Sequence, residues 1–275
     1  MKKNIFLFCS VILTAVAFSQ EPPTDRLTVA FSDPARPGVL KASLMNGGMT
    51  IKAYEGKEVI VEARIRPEKP SERGDRSGKK TMGLRRLEIT STGLTVEEED
   101  NEMRIGAETM NRTVDLTIQV PKKISLKLSC LNDGDIKVDG VSGEIEINNQ
   151  NGAIALTNIS GSVVAYAHND DITVSFVKVE PEKAMSFVSW NGDVDITFPP
   201  EVRAKAKMKT NNGEVYSDFD VKLEASANRV EEDGRKEGGK YKLKVEKAVY
   251  GLINGGGPEM QFSTYNGDIY IRKGK

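Results

Sequence analysis

The sequence predicts an all-β fold, a β-solenoid (β-helix) wound in coils of about 18–22 residues, and three observations predict it. A turn followed by a short apolar run recurs along the 275-residue chain. The residues after each turn alternate apolar and polar with period two, the period of a strand. No stretch beyond a turn or two carries the 3.6-residue period of a helix. With 29% charged and 6% aromatic residues and a mean hydropathy of -0.40, the chain has soluble-protein chemistry, which excludes a helical membrane bundle, a collagen and a disulfide miniprotein. Lys and Arg number 39 against 40 Asp and Glu, so there is no global field for nucleic acid, and no nucleic-acid partner is expected.

Residues 1–19 read as a signal peptide. Lys2 and Lys3 give the positive start, Ile5 through Phe18 the apolar run, and Ala17 and Ser19 the small residues a signal peptidase inspects, with cleavage before Gln20. The run is short of the roughly 20 residues a bilayer span needs, so no membrane span is expected after cleavage. The protein is expected to be exported: periplasmic, at the cell surface or secreted. Cys9 leaves with the signal, Cys130 remains as the single cysteine, and no internal disulfide can form.

Residues 20–127 read as a β-rich N-terminal cap with the first, irregular coils. Val59–Ala63 and Val114–Ile118 alternate, and a weak copy of the turn phrase starts at Asn46-Gly47-Gly48. Pro67–Gly83, nearly free of apolar residues, reads as an exposed loop, and Glu97–Asp100 as a solvated turn.

Residues 128–275 read as the regular coils. The phrase appears as Asp133-Gly134-Asp135-Ile136, Asn151-Gly152-Ala153-Ile154 and Asn169-Asp170-Asp171-Ile172. It returns as Asn191-Gly192-Asp193-Val194, Asn212-Gly213-Glu214-Val215 and Asn266-Gly267-Asp268-Ile269. The anchors 136, 154, 172, 194 and 215 are 18, 18, 22 and 21 apart. The step of 54 from 215 to 269 reads as an insertion, with a charged hairpin near 222–246. Asn or Asp before Gly turns the chain tightly, and one coil cannot bury its Ile and Val alone, so coils must stack. A meander of β-hairpins is the rival reading, because Asn-Gly is also a hairpin signal, but a meander does not require one side-chain class at one phase of every repeat.

Catalytic chemistry is sparse. His168 is the only histidine, and no HExxH, CxxC or GxSxG occurs; no catalytic residue, metal or cofactor is expected. Cys130 alternates with Leu126 and Leu128 and reads as a buried, inert thiol. Asp135, Asp171, Asp193, Glu214 and Asp268 share one phase, interrupted by Ala153. They read as solvated corner residues; a calcium edge would need a nine-residue, glycine-richer repeat. The residue before each turn is Asn132, Gln150, His168, Trp190, Asn211 or Tyr265, and all but Asn132 are preceded by a small or polar one: Asn149, Ala167, Ser189, Thr210 and Thr264. The bulky members therefore point outward, and Gln150, His168, Trp190 and Tyr265 are the candidate ligand-binding residues. A ring face meets sugar CH groups while amides take hydroxyls, so a glycan suits such a strip.

Several phrases in their order resemble the DUF4097 family of exported bacterial proteins, called adhesins by analogy. They are Tyr54-Glu55-Gly56-Lys57-Glu58-Val59, Val120-Pro121-Lys122, Asn191 through Pro199, Ser217-Asp218-Phe219-Asp220 and Ile253 through Pro258. The resemblance implies a right-handed, single-stranded β-helix outside the cytoplasm and carries over no catalytic residue. The expected function is a non-enzymatic adhesin or surface and cell-envelope binding module whose partner is a glycan or an envelope protein. The alternatives are a carbohydrate-active enzyme on a β-helix, which needs clustered carboxylates or a Lys or Arg base beside a metal, and a purely structural scaffold.

Overall fold

The computed structural model describes residues 24–67, 91–107, 112–224, 229–233, 241–245 and 248–275. The signal-peptide reading at 1–19 and nearly all of the Pro67–Gly83 loop lie outside them. The described residues form 22 strands and no helix, and no helix among them is long and apolar enough to cross a membrane.

Two parallel ladders carry the stack. The first contains β2 (Gly38–Asn46), β6 (Glu102–Ala107), β8 (Ile124–Asn132), β10 (Ser142–Asn149), the second half of β11 (Ile154–Ala167), β13 (Met185–Ser189), β15 (Ala204–Asn212) and β21 (Glu259–Asn266). In space they run β6-β2-β8-β10-β11-β13-β21-β15. The second contains β3 (Met49–Tyr54), β7 (Val114–Pro121), β9 (Ile136–Asp139), the first half of β11, β12 (Ile172–Val179), β14 (Val194–Phe198), β16 (Val215–Ser217) and β22 (Ile269–Lys273). Its spatial order is β7-β3-β9-β11-β12-β14-β22-β16. β11 bends from one ladder to the other at Asn158, whose φ is 55°.

Antiparallel strands close the ends. β4 (Glu58–Ile65) pairs with β7 and carries β1 (Thr24–Ala30) on its other edge, while β5 (Leu94–Glu99) pairs with β6. At the far end β20 (Val249–Ile253) pairs with both β15 and β17 (Val221–Leu223). Within the insertion, β18 (Arg229–Asp233) and β19 (Tyr241–Val245) form an antiparallel pair, as a hairpin there requires.

The coils do not stack in sequence order. Val194 lies beside Ile269, and Val215 lies beyond it, so β21–β22 is interposed between β13–β14 and β15–β16. The same occurs at the start: Met49 pairs with Ile136 on one side and Leu116 on the other, so β2–β3 is interposed between β6–β7 and β8–β9. In the second ladder β16 has three residues and is largely exposed, which suits an end; β22 has five and buries Ile269 and Ile271, which suits an interior.

Each ladder buries one face and exposes the other, so alternation survives although the pairing is parallel. The inward faces share one core in which Phe176 stacks on Phe198 at 5.1 Å and Phe187 on Phe262 at 5.5 Å. Gly267 shows why glycine recurs at the corners: its φ is +150°, and a Cβ there would sit 2.3 Å from the Gly192 carbonyl oxygen of the neighbouring coil.

Candidate functional site

The corners that join the two ladders stack on one another, and four parallel rows of side chains run along that edge. The inner row is the small or polar phase of the sequence, and its polar members staple corner carbonyls. The Cys130 thiol donates to the Gly47 carbonyl at 2.8 Å, Ser189 to that of Asp170 at 2.9 Å, Thr264 to that of Gly192 at 2.8 Å and Thr210 to that of Gly267 at 2.9 Å. Asn149, fully buried, donates to Gly134 and Ala153 at 3.1 and 3.2 Å. Burial pushes the Cys130 thiol up to about 11, which keeps it protonated and unreactive at neutral pH.

The second row is an unbroken asparagine ladder. Each side-chain amide donates to the next carbonyl oxygen: Asn132 to Asn46 at 3.2 Å, Asn151 to Asn132 at 3.0 Å and Asn169 to Asn151 at 2.7 Å. Asn191 continues to Asn169 at 3.0 Å, Asn266 to Asn191 at 2.7 Å and Asn212 to Asn266 at 2.8 Å. An amide serves because it donates and accepts at once, so one residue type can repeat without charge repulsion. Asn132 belongs to this ladder and not to the bulky outward row where its place before Asp133 had put it; that place is held by Leu131, opposite Gln150.

The third row holds the acidic phase. Asp135 accepts the Ala153 backbone N–H at 3.2 Å, Asp171 that of Asp193 at 2.7 Å, Asp193 that of Asp268 at 2.8 Å, and Asp268 that of Glu214 at 2.8 Å. These carboxylates brace the next coil rather than merely facing water. Where Ala153 breaks the row, the Asp171 N–H turns to the carboxylate of Asp170 at 2.9 Å. Asp170 stands where the other corners have glycine, so the irregular Asn169-Asp170-Asp171 compensates for Ala153.

The fourth row faces outward and contains the four candidate residues in consecutive coils. From one end it reads Met45, Leu131, Gln150, His168, Trp190, Tyr265 and Asn211. His168 stacks on Trp190 with centroids 6.0 Å apart, and Trp190 on Tyr265 at 4.7 Å with planes 3° apart. Trp190 is 47% exposed, as are Met45 at 47% and Leu131 at 44%. The Trp190 ring is therefore flanked by a ring on either side, Tyr265 closely and His168 more loosely, and stays half-exposed. The outward surface is thus a row of exposed rings beside an amide comb. Met45 and Leu131 do not stand out in the sequence, since a lone exposed Met or Leu carries no signal until the register aligns it with Trp190.

The acidic run at Glu97–Asp100 is also more than a solvated turn. Glu98 accepts the Ser32 hydroxyl and N–H at 2.7 and 3.0 Å and the Asn101 N–H at 3.0 Å, which holds its carboxyl below the usual range.

A family model described as Toastrack DUF4097 matches residues 122–272. The comparison with curated proteins gives no match. Among solved structures, a "putative cell adhesion protein" from Clostridium sporogenes ATCC 15579 aligns with a TM-score of 0.50 at 13% identity, over 91% of this chain and 100% of that one. A "putative adhesin" from Bacteroides fragilis NCTC 9343 aligns over 91% of this chain and 96% of that one at 8% identity, with a TM-score of 0.29. The first likeness is one of fold; the second carries no argument.

Proposed function

Because the chain belongs to the Toastrack DUF4097 family, we propose that it is a non-enzymatic, exported, right-handed β-helix that binds a cell-surface or envelope protein along the outward row of its corners. The observation that carries this reading is the exposed ring row His168-Trp190-Tyr265, presented between Leu131 and Asn211. Aromatic anchors in a flat, partly apolar strip with amides alongside are the composition of a protein-binding patch. A glycan, which could also use the exposed rings and the flanking amides, is the second reading. The non-enzymatic part rests on what the reactive groups do: the single histidine is in the ring stack, the single thiol of the mature chain is buried, and the corner carboxylates accept backbone N–H groups. The adhesion wording of the Clostridium sporogenes protein agrees with this role.

The test is site-specific photo-crosslinking in the producing cell, with a benzophenone amino acid at position 190 and, as control, at Lys137 on the second ladder. An adduct with one envelope protein from position 190 alone supports the reading. Equal adducts from both positions, or none from 190, overturn it. Trp190 fluorescence titrated with envelope glycans reads the second partner class, and the N-terminal mass of the exported protein tests cleavage before Gln20.

A further inference from the structure

We propose that a cleft at the opposite ends of the strands from the asparagine corners binds a phosphate ester of a short polyol or sugar. The cleft has a volume of about 390 Å³ and forms where the loop before β2, the turn after β3 and the corner after β7 converge. Its walls are apolar and fixed. Phe31 is buried, and Tyr54, opposite Pro121 in the ladder, donates its hydroxyl to the Glu58 carbonyl at 2.7 Å. Gly56 lets that ring lie over the turn, because a Cβ there would come within 2.0 Å of it.

The rim is basic. Arg36, Lys57, Lys122 and Lys123 line it and are exposed, while Glu55 is the only acidic residue of the lining. Arg36 is engaged by Asp33 at 2.8 Å. Lys122 stands 4.0 Å from Glu55, whose side chain is 91% exposed, so that pair is loose. Lys57 and Lys123 make no ion pair among the described residues. The rim thus carries four cations against one carboxylate, a local excess in a chain whose net charge is -1. Ammonium groups are compact point charges suited to phosphate, and several of them favour a dianion over a single carboxylate. The Pro37, Tyr54 and Pro121 walls take the carbon body that carries the phosphate. The inference is independent of the outward row, which lies at the other ends of these strands.

The full exported chain is titrated by ³¹P NMR with sn-glycerol 3-phosphate, inorganic phosphate and glycerate, and floated with phosphatidic acid vesicles, whose headgroup is a phosphate monoester. Saturable binding of glycerol phosphate, weakened at least tenfold in Lys57→Gln/Lys123→Gln and unchanged in Trp190→Ala, supports the site. Added vesicle binding assigns the phosphate to a lipid headgroup; its absence assigns it to a soluble or polymeric ester. Should the double variant melt lower, Lys57→Arg/Lys123→Arg, which keeps the charge, must restore binding. No saturable signal, equal binding by the double variant, or glycerate binding as tightly as glycerol phosphate overturns the proposal.

Discussion

Trp190 and Tyr265 stack at 4.7 Å across a sequence separation of 75 residues, and they meet because β21–β22 is interposed next to β13–β14. The ring stack thus reports whether the coils are threaded in this order. An aromatic pair contributes about 0.5–1.5 kcal/mol beyond its buried area. Trp190→Ala should cost about 1 kcal/mol, read as a drop of roughly 2–4 °C in Tm. The single tryptophan of the wild type should remain open to iodide quenching. A loss above about 4 kcal/mol would show a core residue and dissolve the outward row.

Asn191 donates to Asn169 and accepts from Asn266, whereas Asn212 at the end of the ladder makes one such bond. Each bond contributes about 0.5–1.5 kcal/mol. Urea unfolding of Asn191→Ala should show about twice the loss of Asn212→Ala. Midpoints of both variants equal to that of the wild type would mean that the ladder contributes nothing to stability.

Val194 is fully buried between Ile172 and Ile269, while Lys137 is exposed and pairs with Asp135 at 3.3 Å. Val194→Asp places an unpaired charge in the core and should abolish cooperative folding, a cost above about 4 kcal/mol. Lys137→Asp loses a surface pair and adds like charge, which costs about 1 kcal/mol or less. Circular dichroism melts of the two variants check the inside and outside phases directly.

The parallel coils, the inward anchors and the outward phase were legible because each rests on local chemistry: Asn or Asp before Gly turns the chain, and Ile-x-Val faces one way. The stacking order was not, because β21 and β15 carry the same pattern and nothing local says which lies next to β13. Strand length was the available signal, with Val215-Tyr216-Ser217 the shortest copy. The roles of Ser189, Thr210 and Thr264 were half legible. Their phase was visible, but the corner carbonyls they bond belong to other coils. The same holds for the stacking of Trp190 on Tyr265, since two rings at adjacent register positions say nothing of how their planes tilt.

Acid should act first on carboxyls at the N-terminal closure and at the far corner of the second ladder. The Asp25 carboxyl is held below its ordinary value by the Thr92 hydroxyl and N–H, that of Glu98 by Ser32, and that of Asp139 by Asn158 and then Thr157. A carboxyl with a lowered folded pKa contributes stability in full above its ordinary value, here 3.8 for the aspartates and 4.5 for Glu98. That contribution is lost as pH falls from there through the folded value. Tm should therefore be flat near neutrality and fall below about pH 4.5, the ordinary value of Glu98. In Glu98→Gln the fall should be shallower. An unchanged slope in Glu98→Gln would assign the acid sensitivity to other carboxylates.

Ala153 and Asp170 form a compensating pair, and a double-mutant cycle can expose it. In the regular coils the carboxylate one coil away holds the next corner N–H, as Asp171 holds Asp193 and Asp193 holds Asp268. Ala153 has no carboxylate to offer Asp171, and Asp170 provides one from within its own corner. Asp170→Gly alone restores the common corner sequence yet strands the Asp171 N–H. It should destabilise by about 1–2 kcal/mol through the lost bond and the added chain entropy of glycine. Ala153→Asp alone puts a second carboxylate near Asp170 and should be neutral or slightly unfavourable. Together, Ala153→Asp and Asp170→Gly rebuild the arrangement of the neighbouring corners, with the introduced carboxylate reaching the Asp171 N–H as Asp171 reaches that of Asp193. The double variant should recover most of the loss of Asp170→Gly, a coupling of about 1 kcal/mol between residues that are 17 apart in sequence but one coil apart in space. Urea denaturation of the four proteins measures it. Additive losses would show that Asp170 stands at its corner for a reason other than the gap left by Ala153.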